Sequence, residues 1–452
     1  MGLLIAFVIF TGTMITMLIT GHTMVWALLV GLFAFGTLGL IRLHREKSMG
    51  FAEGIRLLSD YSRNAIKDSL VVIGVMLSIG ILTASWRVSG TITIFVYWGM
   101  KIIVPPLFLI ITFLLTCLLS YALGTSFGVA GTLGVIFMAL ARSGGVNPVI
   151  TAGVLMSGIY FGDRCSPVSS SANMVAGITG TQIYDNIKFM IKSAGLPFAI
   201  TLAAYIVLSL MNPITGVDQE IMTSFRETFS LSPWAFVPAI LMFVLPLLKL
   251  DVFASIGASA GSAVLVAWLV QGVPILKVLK ACVLGYVAEG EGLGAILNGG
   301  GLVSMIEIAI ILTISCAYSG IFNATGMLDG VQDIIKKGST RFGRYLMTLV
   351  VGTLSCVVFC NQTIATLMTN DLMTKPYLDT GGSRQELAID MENTLIVIAG
   401  LVPWAIACSV PLGLFGMSIA ALPFAFYMYL IPICYIFTKK KWFNDAVADQ
   451  SC

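Results

Sequence analysis

The sequence predicts an all-α polytopic membrane protein, and three features of the chain support this fold class. Of its 452 residues, 58% are hydrophobic and only 10% are charged, against about 25% charged in soluble domains. Long apolar runs follow one another, and shorter stretches rich in glycine and hydroxyl residues interrupt them. Helices satisfy their own backbone hydrogen bonds in lipid, whereas a β-barrel would show short alternating segments. The net charge of +3 indicates no polyanionic partner, so we expect no nucleic acid binding.

Twelve apolar runs approach the length of about 20 residues that a helix needs to cross the hydrocarbon core. They are residues 3–19, 23–41, 70–87, 104–123, 147–161, 193–211, 233–248, 252–270, 302–322, 343–359, 393–410 and 412–437. Broken stretches lie between them at 124–141, 164–181, 281–300 and 361–376. These look too irregular for ordinary lipid-facing spans, since such backbone is tolerated only inside protein or around a watery cavity. We therefore expect 124–141, 164–181 and 361–376 to meet near the bilayer midplane.

Lysine and arginine set the expected orientation, because basic loops stay on the cytoplasmic side. Residues 42–67, 336–344 and 439–441 are basic, so we place all three, with both chain termini, on the inside of the cytoplasmic membrane. The segment 277–300, which carries Glu289 and Glu291, is expected outside. We interpret run 3–19 as a retained first helix, because it lacks a basic start and a small-residue cleavage site.

The chain also shows a weak internal repeat. Gly80–Ala84 resembles Gly320–Ala324, and each is followed by an amphipathic stretch, an apolar span and a polar break. The turn before span 104–123 carries one lysine and its counterpart before 343–359 carries four basic residues. This indicates opposite sides of the membrane, as an inverted repeat predicts, and inverted repeats with broken helices are typical of secondary transporters. The predicted divisions are a first membrane repeat at 1–211, a linker at 212–232, a second membrane repeat at 233–438 and a cytoplasmic tail at 439–452.

The strongest local signal is the segment Tyr160–Asn173, which combines Asp163, the helix breaker Pro167 and a run of hydroxyl residues. Pro167 frees a backbone carbonyl, and hard cations favour cages of oxygen ligands. The carboxylate can balance a bound cation or carry a proton. An extramembrane loop with an ion pair between Asp163 and Arg164 explains the same spacing equally well.

Three further polar features lie among the apolar runs. Gly124–Thr132 indicates unwound backbone, or else close helix packing through small residues, and Asn361–Asp371 is its counterpart in the second half. Glu392 is the counterpart of Asp163, although an acid at a helix start is also favoured by the helix dipole. Glu307 interrupts an apolar span, where an acid is a functional candidate or makes a structural hydrogen bond.

At these residues the chain resembles the NhaC family, which includes Na⁺/H⁺ antiporters and malate/lactate exchangers. Gly124–Gly128 is similar to the family's G-T-S-W-G, Tyr160–Asn173 to its Y-F-G-D-K-x-S-P-L-S-D-T-T-N, and Glu392–Trp404 to its L-E-D-x-G-T…P-L-I-P-W. The resemblance runs over most of the chain, roughly from Leu70 to Leu414. It implies an elevator-type fold, in which a scaffold domain holds a homodimer and a transport domain carries the site, and it implies ion-coupled transport without ATP.

The chain departs from the family pattern at three acidic positions, which hold Ser170, Asn361 and Asn393 here, and it has an extra acid, Glu307. Fewer fixed negative charges should weaken cation binding, and neutral groups suit an organic solute such as an amino acid or a hydroxycarboxylate. Two functions therefore stay open: cation-coupled Na⁺ and/or H⁺ antiport, and Na⁺- or H⁺-coupled transport of a small organic solute.

The expected partners are membrane lipid, the solute or Na⁺ and H⁺, and a second copy of the chain; a bound Na⁺ is the sole cofactor considered. We assign Glu392 as the better proton carrier, with Glu307 next, and Asp163 as a fixed charge paired with Arg164. A passive channel would not need the repeat, and an intramembrane enzyme would need a catalytic dyad, so neither is favoured. The predicted binding residues are Thr125, Ser126, Asp163, Ser166, Ser169, Ser170, Asn173, Asn361, Gln362, Thr363, Glu392, Asn393 and Thr394.

Overall fold

The computed structural model describes residues 2–20, 22–102, 105–214, 219–248, 250–288, 291–327 and 331–448. Within these residues the chain is helical, and extended backbone pairs only in an isolated antiparallel bridge between Tyr286 and Gly299. The all-α fold class is therefore confirmed. Glu289, which was predicted to face outside with Glu291, lies outside the described residues.

Among the described residues, ten helices precede the predicted linker and thirteen lie within or after it. The first half contains α1 Gly2–Thr20, α2 Val25–Lys47, α3 Phe51–Val88, α4 Thr91–Ile102, α5 Phe108–Leu123, α6 Ser126–Val129, α7 Val135–Ser143, α8 Pro148–Cys165, α9 Ser170–Thr179 and α10 Ile183–Met211. The remainder contains α11 Gln219–Thr228, α12 Val237–Leu247, α13 Val252–Leu269, α14 Ile275–Leu284, α15 Glu291–Leu297, α16 Ile306–Thr325, α17 Val331–Phe342, α18 Arg344–Phe359, α19 Gln362–Asp379, α20 Arg384–Glu392, α21 Leu395–Ile398, α22 Ile406–Phe415 and α23 Phe426–Ala448.

Fewer helices can cross a membrane than the twelve predicted runs suggested. Among the described residues, six helices are long and apolar enough, or up to nine if each bent pair counts as one span. The run 412–437 is not one span, because α22 stops at Gly416, whose φ is +65°, and the 3₁₀ segment Ile419–Phe424 precedes α23. The stretch 124–141 was expected to be irregular, but Ser126–Ser143 is continuously helical through a π-helical segment and is buried by other helices.

The two halves break their helices with the same local geometry. Helix α5 ends at Gly124, whose φ is +63°, and the Thr125 side chain then accepts a hydrogen bond from the first turn of α6. Helix α18 ends at Cys360, whose φ is +55°, and the Asn361 side chain caps α19 in the same way. The left-handed conformation is costly for a residue with a Cβ, so its presence at Cys360 marks a break that the surrounding structure holds in place.

Close backbone packing joins the break after α5 to the break after α8. Neither Gly124 nor Gly162 has room for a Cβ, because Gly124 lies against the backbone of Val168 and Ser169, and Gly162 against that of Ser120. The Ser120 hydroxyl also donates to the Ile159 carbonyl at 2.5 Å. These contacts fix the last turn of α8, where Asp163 lies, against the polar end of α5.

Helix α23 continues through residue 439, where the tail is predicted to begin, to Ala448. Lys439 forms ion pairs of 2.7 Å with Glu386 and 2.5 Å with Asp390, and Arg344 contacts Glu386 at 3.1 Å. The Tyr377 hydroxyl donates to the same Asp390 oxygen at 2.5 Å. Lys439 was predicted to be a topology signal, but it is also a structural cation that joins α23 to α20.

We expect Lys439→Met to lower the free energy of unfolding by about 3 kcal/mol, because it leaves the fully buried Asp390 without its cation. The adjacent Lys440 is exposed, so Lys440→Met should change stability by no more than about 0.5 kcal/mol. Thermal unfolding of the two purified variants compares them directly. Adding Asp390→Asn to Lys439→Met should recover part of the loss, and equal effects of the two lysine variants would contradict a structural ion pair.

Candidate functional site

Asp163 is the centre of the candidate site and is buried in the last turn of α8. One carboxylate oxygen accepts hydrogen bonds from Ser171 at 3.1 Å and from Ser169 at 3.5 Å. The other accepts a bond from the Gln362 side-chain amide at 3.3 Å. Ser169 is also the N-cap of α9, so the break around Pro167 aims the start of α9 at this carboxylate. All three donors are neutral.

Gln362 brings the second half of the chain to this carboxylate. It is the first residue of α19, directly after the break at Cys360 and Asn361. Its side-chain nitrogen donates both to Asp163 and to the Ile396 carbonyl of α21, the latter at 3.0 Å. Gln362 of segment 361–376 therefore contacts Asp163, the residue directly before segment 164–181, and the meeting of the three broken segments near the bilayer midplane stays a prediction.

Arg164 does not pair with Asp163, which corrects the prediction. Its guanidinium donates to the Met190 carbonyl at 2.8 Å, to the Ser193 hydroxyl at 2.7 Å and to Asn393 Oδ1 at 2.5 Å. It also donates to the Tyr427 hydroxyl at 3.0 Å. Asp163 and Arg164 are consecutive on a helix, where neighbouring side chains do not face each other. Arg164 therefore points to the segment that follows Glu392.

Glu392 lies at the end of α20, beside the non-helical residues Asn393 and Thr394, and is fully buried. Neither of its carboxylate oxygens has a hydrogen-bond partner in the described part of the chain. It interacts electrostatically with Arg164, which attracts it, and with Asp163, which repels it. Since buried polar atoms are almost always hydrogen-bonded, the two unpartnered oxygens indicate that Glu392 depends on a nearby positive charge, either Arg164 or a bound ion.

The site therefore brings together two buried acids and one buried guanidinium. With both acids ionised its net charge is −1, and neither acid forms an ion pair among the described residues. Burying an uncompensated charge is costly, so one positive charge, either a proton or a cation, restores the balance. No group of three or more His, Cys, Asp or Glu side chains within the described ranges has metal-site geometry.

The other predicted residues divide into three groups. Ser166 donates to the Tyr121 carbonyl at 2.6 Å, and Thr394 donates to the Asp390 carbonyl at 2.6 Å, so both bond backbone and neither reaches a site carboxylate through a described bond. Asn393 contacts the site through Arg164. The remaining predicted residues cap helices or are otherwise placed away from the carboxylates: Thr125 and Asn361 cap α6 and α19, Ser126 is buried in the first turn of α6, and Ser170, Asn173 and Thr363 are exposed.

Glu307 does not join the site. It was predicted at membrane depth within an apolar span, but it lies in the first turn of α16, is exposed and accepts a hydrogen bond from the Thr23 hydroxyl. The 3₁₀ segment Leu302–Met305 takes up the start of the apolar run, which places the acid near the helix end. The site residues that the prediction missed are Ser171, Ser193 and Tyr427, and the hydroxyl run gave a signal for Ser171 alone.

A polytopic helical fold with two matching helix breaks, two buried acids and the buried guanidinium of Arg164 is typical of a secondary transporter. Residues 158–439 match the model of the Na⁺/H⁺ antiporter family, and the chain belongs to this family. It is a cation-coupled antiporter.

The names of similar proteins refer to different transported substrates. The chain is 26% identical over 404 residues to the malate-2H(+)/Na(+)-lactate antiporter of Bacillus subtilis, with 86% of each chain covered. It is 26% identical over 377 residues to the Na(+)/H(+) antiporter NhaC of Alkalihalophilus pseudofirmus, with 82% of this chain and 81% of that protein covered. It is 27% identical over 437 residues to the arginine/ornithine antiporter ArcD of Halobacterium salinarum, with 90% and 89% covered.

Proposed function

We propose that this antiporter exchanges Na⁺ for H⁺ by competition at the carboxylates of Asp163 and Glu392. The observation that carries the proposal is the charge balance of two buried acids against Arg164. One positive charge completes the site, so Na⁺ and a proton exclude each other there. Exchange then needs no ATP, because each ion can cross only as the replacement for the other.

The oxygens around Asp163 suit a small hard cation. Asp163 and Glu392 supply carboxylate oxygens, and the Ser169 and Ser171 hydroxyls lie within 3.5 Å of Asp163. The Gln362 amide nitrogen is occupied by its two acceptors, which leaves its oxygen for a ligand. Hard cations bind through such carboxylate, carbonyl and hydroxyl oxygens.

A second candidate is Na⁺- or H⁺-coupled transport of a small organic solute. The neutral Asn361 and Asn393 stand where the family pattern has acids, and the Asn393 side-chain nitrogen has no described partner. Relatives named for malate and lactate or for arginine and ornithine support this candidate. An amino acid or hydroxycarboxylate would then travel with the cation at the same site.

Reconstituted protein separates the two candidates. Proteoliposomes loaded with Na⁺ and a pH dye are diluted into Na⁺-free buffer that contains no organic solute. Na⁺/H⁺ exchange makes the interior acidic as Na⁺ leaves, with no added solute required. Acidification that requires malate, lactate, arginine or ornithine outside would favour the second candidate, and no acidification with any of them would contradict both.

We further propose a cytoplasmic-membrane location, an elevator-type movement of one repeat, a homodimer, and cytoplasmic positions for both termini and for residues 42–68 and 336–344. The contact of Arg344 and Lys439 with the same Glu386 supports one side for two of these basic segments. In spheroplasts, a cysteine at Lys337 should resist a membrane-impermeant maleimide until the membrane is opened. Immediate labelling from outside would overturn the orientation and the inverted repeat.

A further inference from the structure

Asn393 places a neutral amide beside the buried charges of the cation site. It is fully buried and directly follows Glu392 at the end of α20. Its Oδ1 accepts a hydrogen bond from the Arg164 guanidinium at 2.5 Å and lies 3.3 Å from the Ser193 hydroxyl. Because an arginine side chain has donors and no acceptor, the atom that faces Arg164 must be the amide oxygen. The contact with Arg164 therefore fixes which way the Asn393 amide points.

The amide nitrogen of Asn393 makes no hydrogen bond. Nδ2 is buried and has no partner in the described part of the chain, although buried polar atoms almost always have one. A carboxylate at this position would lose no bond, because the oxygen makes both contacts. Its bond to Arg164 would be stronger, because both partners would then be charged. Hydrogen bonding therefore does not explain an amide at residue 393, whereas the charge of the site does.

The charge at residue 393 acts on both acids of the site, because the groups are neighbours in the chain or in contact. Asp163 directly precedes Arg164 in α8. Glu392 directly precedes the residue whose oxygen contacts that guanidinium. With an amide at residue 393, the two acids exceed the guanidinium by one negative charge. With a carboxylate there, Arg164 would be balanced by its existing contact, and Asp163 and Glu392 would need two cations.

We propose that Asn393 determines how many cations the site binds, because its neutral amide leaves Arg164 to balance Glu392 and a single Na⁺ is then enough. This inference rests on the Na⁺/H⁺ exchange proposed above and adds the residue that fixes its stoichiometry. Asn393 acts through Arg164 and is a positioning residue, not a ligand of the cation. Exchange of one Na⁺ for one proton then moves no net charge across the membrane.

Equilibrium binding of radioactive Na⁺ to the full purified chain counts the cations. The wild type should bind one Na⁺ per chain at saturation, and Asn393→Asp should bind two. Asn64→Asp adds the same charge at an exposed position of α3 and should bind one, as the wild type does.

Two other results of this measurement have distinct meanings. One Na⁺ bound by Asn393→Asp at every pH from neutral to alkaline would overturn the proposal and would favour a role for the amide nitrogen in binding a solute. No Na⁺ bound by the wild type would contradict the Na⁺ exchange on which the proposal rests. The wild type therefore tests the exchange, and the variant tests the role of Asn393.

The double variant Glu392→Gln and Asn393→Asp keeps the wild-type net charge and gives a second test. Glu392→Gln alone should raise the Na⁺ concentration for half-saturation by at least about 100-fold, because it removes one negative charge from the site. Adding Asn393→Asp restores that charge beside Arg164, so the double variant should bind one Na⁺ within about tenfold of the wild-type affinity. Adding Asn64→Asp to Glu392→Gln should restore nothing.

The double variant also keeps the proposal testable if Asn393→Asp alone does not fold. Thermal unfolding first shows which purified variants are folded, and Na⁺ binding is compared among those. A purely structural role for Asn393 predicts no recovery of Na⁺ affinity when a second substitution is added beside Glu392→Gln. A folded double variant that binds Na⁺ as weakly as Glu392→Gln would therefore overturn the proposal.

Discussion

Asp163→Asn should reduce Na⁺-driven proton exchange by at least about 100-fold, which corresponds to roughly 3 kcal/mol. This is the effect of removing one partner from a buried charge pair, here the pair that Asp163 forms with the bound cation. The amide keeps an oxygen that can accept from Ser169 and Ser171 and so preserves much of the local structure. It removes the one negative charge that Arg164 does not balance. With Glu392 and Arg164 already compensating each other, neither Na⁺ nor a proton is then needed at the site.

The matched control is Asp185→Asn, which neutralises an exposed acid that pairs with Lys188 at 2.9 Å. It should leave exchange within about twofold of the wild type, because exposed ion pairs contribute little. Both variants are assayed at equal protein content in the Na⁺-loaded proteoliposomes, after thermal unfolding shows that each is folded. Exchange by Asp163→Asn at the rate of this control would exclude Asp163 as the coupling group.

The helix breaks could be predicted from the sequence because their causes are local. Glycine at Gly124, proline at Pro167 and the cap residue Asn361 are residue types that favour helix ends through their local geometry. The contact between the first and second halves was also predicted, since inverted repeats bring their broken stretches together. The bends and 3₁₀ segments that shorten several apolar runs depend on packing, and the run lengths alone gave too many spans.

The direction of individual side chains could not be predicted, because it depends on exactly where each helix ends. Helix α8 continues through Cys165, so Arg164 is turned about 100° from Asp163 at 3.6 residues per turn. Helix α9 begins at Ser170, which directs Ser169 and Ser171 to the carboxylate and leaves Ser170 exposed. A shift of one residue in either boundary would have reversed these assignments.

The contact between Arg164 and the Glu392 segment changes which acid exchanges its charge. The sequence assigned Glu392 as the proton carrier because no basic residue is near it in the chain, and it assigned Asp163 as an anion fixed by Arg164. In the folded protein Arg164 donates to Asn393 and attracts Glu392, whereas Asp163 accepts from neutral groups. We therefore propose that Asp163 exchanges Na⁺ for a proton and that Glu392 is the anion held by Arg164.

Glu392→Gln tests this reversal of roles. The substitution leaves Arg164 without its acid, so Arg164 balances Asp163 and the net charge of the site rises from −1 to zero. Both Na⁺ and protons should then bind more weakly, since an added positive charge disfavours each of them. We expect the Na⁺ concentration for half-maximal exchange to rise by at least about 100-fold and the pH profile to move to lower pH, with slow exchange remaining at high Na⁺.

Glu392→Asp, which keeps the charge, should restore most of the Na⁺ affinity, and Glu53→Gln, at an exposed position of α3, should leave both measurements unchanged. These two variants separate loss of charge from loss of packing. If Glu392→Gln abolishes all pH dependence but still exchanges at wild-type Na⁺ affinity, then Glu392 is the proton carrier and Asp163 the fixed charge. If it leaves the Na⁺ affinity and the pH profile as in the wild type, Glu392 has no part in coupling, and the charge balance with Arg164 is not what binds the cation.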